Sequence, residues 1–146
     1  MHATFIRPAL AAAALSALLF TGAPAFAEMV SYNAILKASS EVPANASKGT
    51  GAVNVTFDTA SKKISWTVTY SDMTGPATGA HFHGPAAVTA KAPVVVPLSG
   101  NLASPAKGEA TLTDAQAADL QAGRWYFNVH TAANKDGELR GQMLKK

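Results

Sequence analysis

His81 and His83 are separated by one residue, in the run Gly79-Ala80-His81-Phe82-His83-Gly84-Pro85. On an extended strand residues i and i+2 share a face, so the two imidazoles stand side by side and Phe82 points the other way. His130 ends a second strand-like run, in which Trp125, Phe127 and Val129 make one face and Tyr126, Asn128 and His130 the other. If Phe82 shares a core with Trp125, Phe127 and Val129, all three imidazoles fall together on the sheet exterior. Three neutral imidazoles suit a single copper or zinc ion and leave a coordination position open. Ring nitrogens within about 3–4 Å of one another would fit a shared ion with bonds near 2 Å, and separations beyond about 8 Å in a rigid sheet would sink the site.

Other side chains can support such a site. Glu138 is the candidate fourth ligand or, like Asp136, an acceptor that orients an imidazole N–H. Tyr126 and Asn128 are placed to orient His130. Arg124 and Arg140 can attract an anion or pair with nearby acids. The competing reading is that a His-x-His beside a turn is two hydrogen-bonded structural histidines without an ion. No residue stands out as catalytic, because no Gly-x-Ser-x-Gly elbow or other nucleophile setting occurs.

Composition narrows the alternatives. The chain has no cysteine, which excludes disulfides, thiolate ligands and a Cys nucleophile. His2 and Arg7, the apolar run from Ala9 to Phe20 and the small-x-small Ala25-Phe26-Ala27 read as a cleavable export signal over residues 1–27. That apolar run is too short for an anchored membrane span. Removal after Ala27 leaves a single domain, residues 28–146, in the periplasm or outside the cell, with no membrane span. At roughly 120 residues it can bury a proper core. Its bases are scattered singly apart from Lys62-Lys63 and Lys145-Lys146, which argues against a nucleic-acid partner.

Short alternating runs supply the elements. Val30 to Ala38 fits a first strand, and Ser39 to Gly51 a loop. Val53 to Phe57 and Ile64 to Tyr70 form a hairpin with Val53, Val55, Phe57, Ile64, Trp66, Val68 and Tyr70 on its buried face. The paired-histidine strand follows, then an open loop from Ala86 to Pro93, a short strand Val94 to Val96 and another at Gly108 to Leu112. Thr113 to Gln121 is the one helix, with Thr113 and Gln116 as a capping box and Gly123 at the left-handed stop. After Trp125 to His130, a turn at Asn134 to Gly137 leads into Glu138 to Leu144, with Leu139 and Met143 inward and Glu138, Arg140 and Gln142 outward. The pattern predicts an all-β fold, an antiparallel β-sandwich or barrel with one short helix. The loops at Ala86 to Pro93 and Thr131 to Gly137 would roof the histidines.

The stretches Glu41-Val42-Pro43, Ile64 to Tyr70, Thr74 to Thr78, Ala80 to Ala86, Gly123 to Thr131, Ala132 to Asn134 and Gly137 to Gln142 together resemble the CHRD domain, a family named after the extracellular protein chordin. His81, His83, His130 and Glu138 fall on its motif positions, while Lys135-Asp136 stands where a Pro-Gly turn is common. The resemblance implies an extracytoplasmic all-β domain and no settled reaction; the sandwich or barrel expected is immunoglobulin-like or superoxide-dismutase-like. The hairpin, Thr-Gly link and His-x-His also resemble the early part of copper/zinc superoxide dismutases. With three histidines past the signal and no disulfide, their dinuclear site is excluded. The leading expectation is therefore a binding module for an unidentified extracytoplasmic ligand or protein, with one copper or zinc ion. The alternatives are a metal-dependent enzyme, using copper redox or zinc hydrolysis, and a matrix or adhesion module with structural histidines.

Overall fold

The computed structural model describes residues 26–146; the stretch expected to be an export signal lies outside the described residues apart from Phe26 and Ala27. The chain forms strands β1 (Met29–Lys37), β2 (Thr50–Asp58), β3 (Lys63–Ser71), β4 (Ala77–His83), β5 (Val94–Pro97) and β6 (Ala106–Thr111). These are followed by helix α1 (Asp114–Gln121) and strands β7 (Tyr126–Thr131), β8 (Leu139–Gln142) and β9 (Leu144–Lys145). The strands pair antiparallel in the order β5-β4-β7-β8-β1-β2-β3-β6, with β9 on β1. The sheet curls into a nearly closed barrel. The fold is all-β with a single short helix among the described residues, as the alternation predicts.

Register follows the apolar alternation. In the β2–β3 hairpin Val53 faces Val68, Val55 faces Trp66 and Phe57 faces Ile64, so the apolar sets meet on one face. Val30, Tyr32, Ala34 and Leu36 of β1 point to the same interior. Phe82 and Phe127 are opposite one another in β4 and β7, with ring centroids 4.8 Å apart. Trp66 and Trp125 close around Phe82 at 5.4 and 5.8 Å. Burying each such ring contributes about 2–3 kcal/mol before entropy is counted. This packing fixes the register of the two histidine-bearing strands.

The helix has the predicted caps. Thr113 Oγ1 accepts from Gln116 N while Gln116 Oε1 accepts from Thr113 N, and Gly123 has φ +68°. Gln116 Nε2 reaches Val95 O at 3.4 Å, so α1 leans on edge strand β5.

Several boundaries differ from expectation. β2 begins at Thr50 rather than Val53, because Gly51 lets the backbone close on Leu36 and Tyr70; an added Cβ would lie 3.1 Å from each. β6 likewise starts at Ala106. The return strand is split: β8 ends at Gln142, Met143 turns into the core, and β9 resumes at Leu144. The larger correction concerns the outer face of β8. Arg140 is 2% exposed because the loop after β4 folds over that face. Glu138, just before β8, is 0% exposed because its carboxylate is enclosed by Ser47, Thr74 and Thr131. Both leave the solvent that alternation alone predicts for them.

Candidate metal centre

β4 and β7 bring the three histidines together. Gly79 pairs with His130, His81 with Asn128 and His83 with Tyr126, so Gly79, His81 and His83 line up beside His130, Asn128 and Tyr126 on the outer face. His81 Nδ1 lies 3.2 Å from His130 Nε2. One ring nitrogen from each of the three lies within 4.8 Å of the others, a spacing that could hold a metal ion.

The other ring atoms set the tautomers. His83 Nδ1 is 3.0 Å from the carbonyl of Ala92, and His130 Nδ1 is 2.8 Å from that of Lys135. A carbonyl only accepts, so each Nδ1 donates its N–H, and in the neutral ring Nε2 carries the lone pair. Those two Nε2 atoms both face Asn128 Oδ1, at 3.0 Å each. Backbone carbonyls on Nδ1 are a recurrent way of orienting metal-binding imidazoles. The two carbonyls come from the loops after β4 and β7, which roof the cluster.

Burial favours the neutral rings. It lowers the pKa of His81, and His130 and His83 beside it push the same way. It also lowers that of His83; the Ala92 carbonyl and Asn128 pull upward, and His130 and Arg140 add to the lowering. Neutral rings keep the Nε2 lone pairs of His83 and His130 available near one another, an arrangement suited to a Lewis-acidic cation.

The supporting residues have more specific roles than their types suggest. The Tyr126 ring stacks on His83 at 4.7 Å, while the Arg140 guanidinium sits 3.5 Å over its centroid. Arg140 does not pair with an acid; its NH2 donates to Val88 O at 3.1 Å and Ala90 O at 2.6 Å, pinning the loop that carries Ala92. Arg124 does pair with an acid, Asp119.

Glu138 is not brought to the imidazoles. Oε1 accepts from Ser47 Oγ at 2.6 Å and Thr74 N at 2.8 Å. Oε2 accepts from Thr74 Oγ1 and Thr131 Oγ1, both at 2.5 Å, and from Asn134 Nδ2 at 3.1 Å. A carboxylate offers about four lone-pair sites, so these donors leave none for an ion or imidazole. Burial pushes its pKa up, but the hydrogen bonds from Ser47, Thr131 and Thr74 win and hold it at about 2. Asp136 is exposed and stands outside the cluster.

Glu41 was not singled out by sequence reasoning for the site. Its carboxylate is buried, Oε1 has no hydrogen-bond partner, and burial raises its pKa against the opposing pull of Val42 N–H, Arg140, Asn128 and His130. Its place in the Glu41-Val42-Pro43 motif was the available signal.

The CHRD domain profile matches residues 32–143, most of the chain. The chain belongs to the CHRD domain family. No curated protein and no solved structure matches it. The matched segment of this CHRD domain contains all three histidines, both carbonyls that orient them, Asn128 and Glu41. Among the described residues no helix is long and apolar enough to cross a membrane.

Proposed function

We propose that this CHRD domain is an exported binding module that holds one copper or zinc ion on His81, His83 and His130. The observation that carries the reading is the pair of Nδ1–H···O=C contacts, at Ala92 and Lys135, which turn the Nε2 lone pairs of His83 and His130 inward. Together with His81 Nδ1 they supply three nitrogen donors of the kind both metals accept. Cleavage after Ala27 would release the domain into the periplasm or the surroundings, where free copper and zinc are met. The partner that delivers or receives the ion is of unspecified identity.

The test is titration of the purified protein with Cu(II) and Zn(II), alongside His130→Ala. One equivalent bound by the wild type, with affinity reduced more than about 100-fold in His130→Ala, supports the reading. That loss would exceed the usual cost of altering a residue that merely supports a ligand. Equal stoichiometry and affinity in both proteins would remove His130 and with it the site.

An enzymatic reading rests on one further observation. Gly79, on the same face as His81, has no side chain to cover the cluster, so three protein nitrogens leave a position that an exogenous ligand can reach. Turnover of an exogenous substrate by the copper- or zinc-loaded protein would favour it.

A further inference from the structure

Resting on the metal site just proposed, we propose that Asn128 supplies a fourth donor through Oδ1, and that the resulting three-nitrogen, one-oxygen set favours copper(II) over zinc(II). Asn128 lies centrally on β7 and is 4% exposed, so its amide cannot turn out to water. One end of the amide meets the imidazoles: Oδ1 is 3.0 Å from His83 Nε2 and 3.0 Å from His130 Nε2. The other end faces Glu41. A Cβ placed on Gly137 would lie 3.0 Å from Asn128 Nδ2 and would collide with Glu41 Oε1, so the two atoms border the same small space.

That arrangement sets the direction of the amide. A carboxylate oxygen without a partner attracts N–H and repels C=O, so Nδ2 stays toward Glu41 and Oδ1 toward the imidazoles. Both Nε2 atoms carry lone pairs, because their rings donate from Nδ1 to backbone carbonyls. His81 Nδ1–H can donate to His130 Nε2, but the amide oxygen against the His83 lone pair is still two acceptors without a donor. A cation among them removes the conflict and makes the oxygen a ligand.

The spacings discriminate between metals. Donor atoms on two bonds of about 2.1 Å lie about 3.0 Å apart at a right angle and about 3.4 Å apart at the tetrahedral angle. The measured edges are 3.0 Å, 3.0 Å and, from His81 Nδ1 to His130 Nε2, 3.2 Å. The two edges to Asn128 Oδ1 match the right angle and the third falls midway, so the set is closer to the tetragonal preference of copper(II) than to the tetrahedral one of zinc. Glu41 acts as a positioning residue, holding the amide so that its oxygen stays in the set.

The experiment compares wild type, Asn128→Leu and Asn128→Asp by Cu(II) and Zn(II) titration and by the electron paramagnetic resonance of the Cu(II) forms. Circular dichroism checks that each is folded. The wild type is expected to take one Cu(II) with a tetragonal spectrum. Asn128→Leu should lose about 10–100-fold in Cu(II) affinity, less in Zn(II), and change its g and hyperfine values. Asn128→Asp, which keeps an oxygen, should restore tight binding with a spectrum shifted by the added charge. An unchanged spectrum and affinity in folded Asn128→Leu would overturn the assignment while leaving the three-histidine site standing. If Asn128→Leu does not fold, an Asn128→Asp spectrum identical to wild type would overturn it instead. Failure of the wild type to bind either metal would overturn the underlying site.

Discussion

Two polar clusters lie under the loops of this fold, and they are built on opposite principles. Around Glu138, donors outnumber the sites one carboxylate can offer: Ser47, Thr74 and Asn134 point at it from three different loops and Thr131 from the end of β7. Around His81, His83 and His130, Asn128 Oδ1 faces the Nε2 lone pairs of His83 and His130, whose N–H groups are turned away to the carbonyls of Ala92 and Lys135. His81 Nδ1 is the one ring nitrogen that can donate into the cluster, to His130 Nε2. The first cluster is complete without anything added. The second would be completed by the cation proposed for it. A buried polar group that is fully satisfied holds structure, whereas one left open at a defined geometry is where a ligand belongs.

The sharpest way to break this comparison is to remove its structural half. Glu138→Ala leaves the donors of three loops without their shared acceptor and should cost about 3–5 kcal/mol, measured by urea denaturation of the metal-free protein. Metal affinity should fall with it, since the loop that carries the Lys135 carbonyl is tied to the same carboxylate through Thr131 and Asn134. A loss below about 1 kcal/mol would mean that Glu138 is not the clamp described.

Removing the other half should give the reverse signature. His130 is half-buried, and His130→Ala should change metal-free stability by about 1 kcal/mol or less. In the wild type, free Cu(II) at about 100 times its dissociation constant should add about 2.7 kcal/mol, raising the melting temperature by roughly 10 °C or more. In His130→Ala that increment should largely vanish at the same metal concentration. An equal increment in both proteins would place the ion elsewhere.

The unequal legibility of the two clusters in the sequence has a physical origin. The histidine cluster was readable because strand alternation puts His81 and His83 on one face, and because Phe82 and Phe127 both demand the core and so fix the register. The barrel was readable for the same reason in Val53, Val55, Phe57 and their partners. What alternation cannot show is where loops return. Glu138 and Arg140 read as solvent-facing because their neighbours Leu139 and Met143 point inward, yet loops contributed by residues about 50 to 90 positions earlier cover both. Asn45, Ser47 and Thr74 are ordinary loop residues until those closures are known. Glu41 has the same history, since its importance lies in what surrounds it and not in its spacing.

Acid titration separates the two clusters by pH window. His81 and His83 have folded pKa values below the ordinary 6.5, so the unfolded chain takes up more protons there. Their contribution is present above pH 6.5 and lost as pH falls below it. Glu138 has the same sign further down: its contribution is present above 4.5 and lost as pH falls toward about 2. Glu41 has the opposite sign, because its raised pKa makes the folded state hold a proton more tightly, so ionising it at higher pH costs stability. The metal-free protein should therefore lose stability in two stages on acidification, with Glu41 partly offsetting the loss. His83→Phe should remove much of the upper stage and leave the lower one. A single stage confined to low pH in the wild type would break the assignment of neutral, buried imidazoles.

The smallest expected change tests whether the open position faces solvent. Gly79 lies on the same face as His81, and a Cβ there would sit 3.2 Å from His81 Cε1, 3.5 Å from its Nε2 and 3.8 Å from His130 Cδ2. Those contacts are tight but are made to ring edges that can give slightly, and valine is a good strand former, so Gly79→Val should alter stability by about 1 kcal/mol or less. It should also keep its copper, since no donor atom is removed. What it should lose is access: azide added to the Cu(II) protein gives a charge-transfer band only where it reaches the metal, and that band should weaken in the valine variant. Equal azide binding in both proteins would mean that the open position points elsewhere, under the loop that carries Ala92, where Arg140 holds the Val88 and Ala90 carbonyls in place. The histidine cluster would then differ from the Glu138 clamp in its unpaired donors alone, and not in its exposure to an incoming ligand.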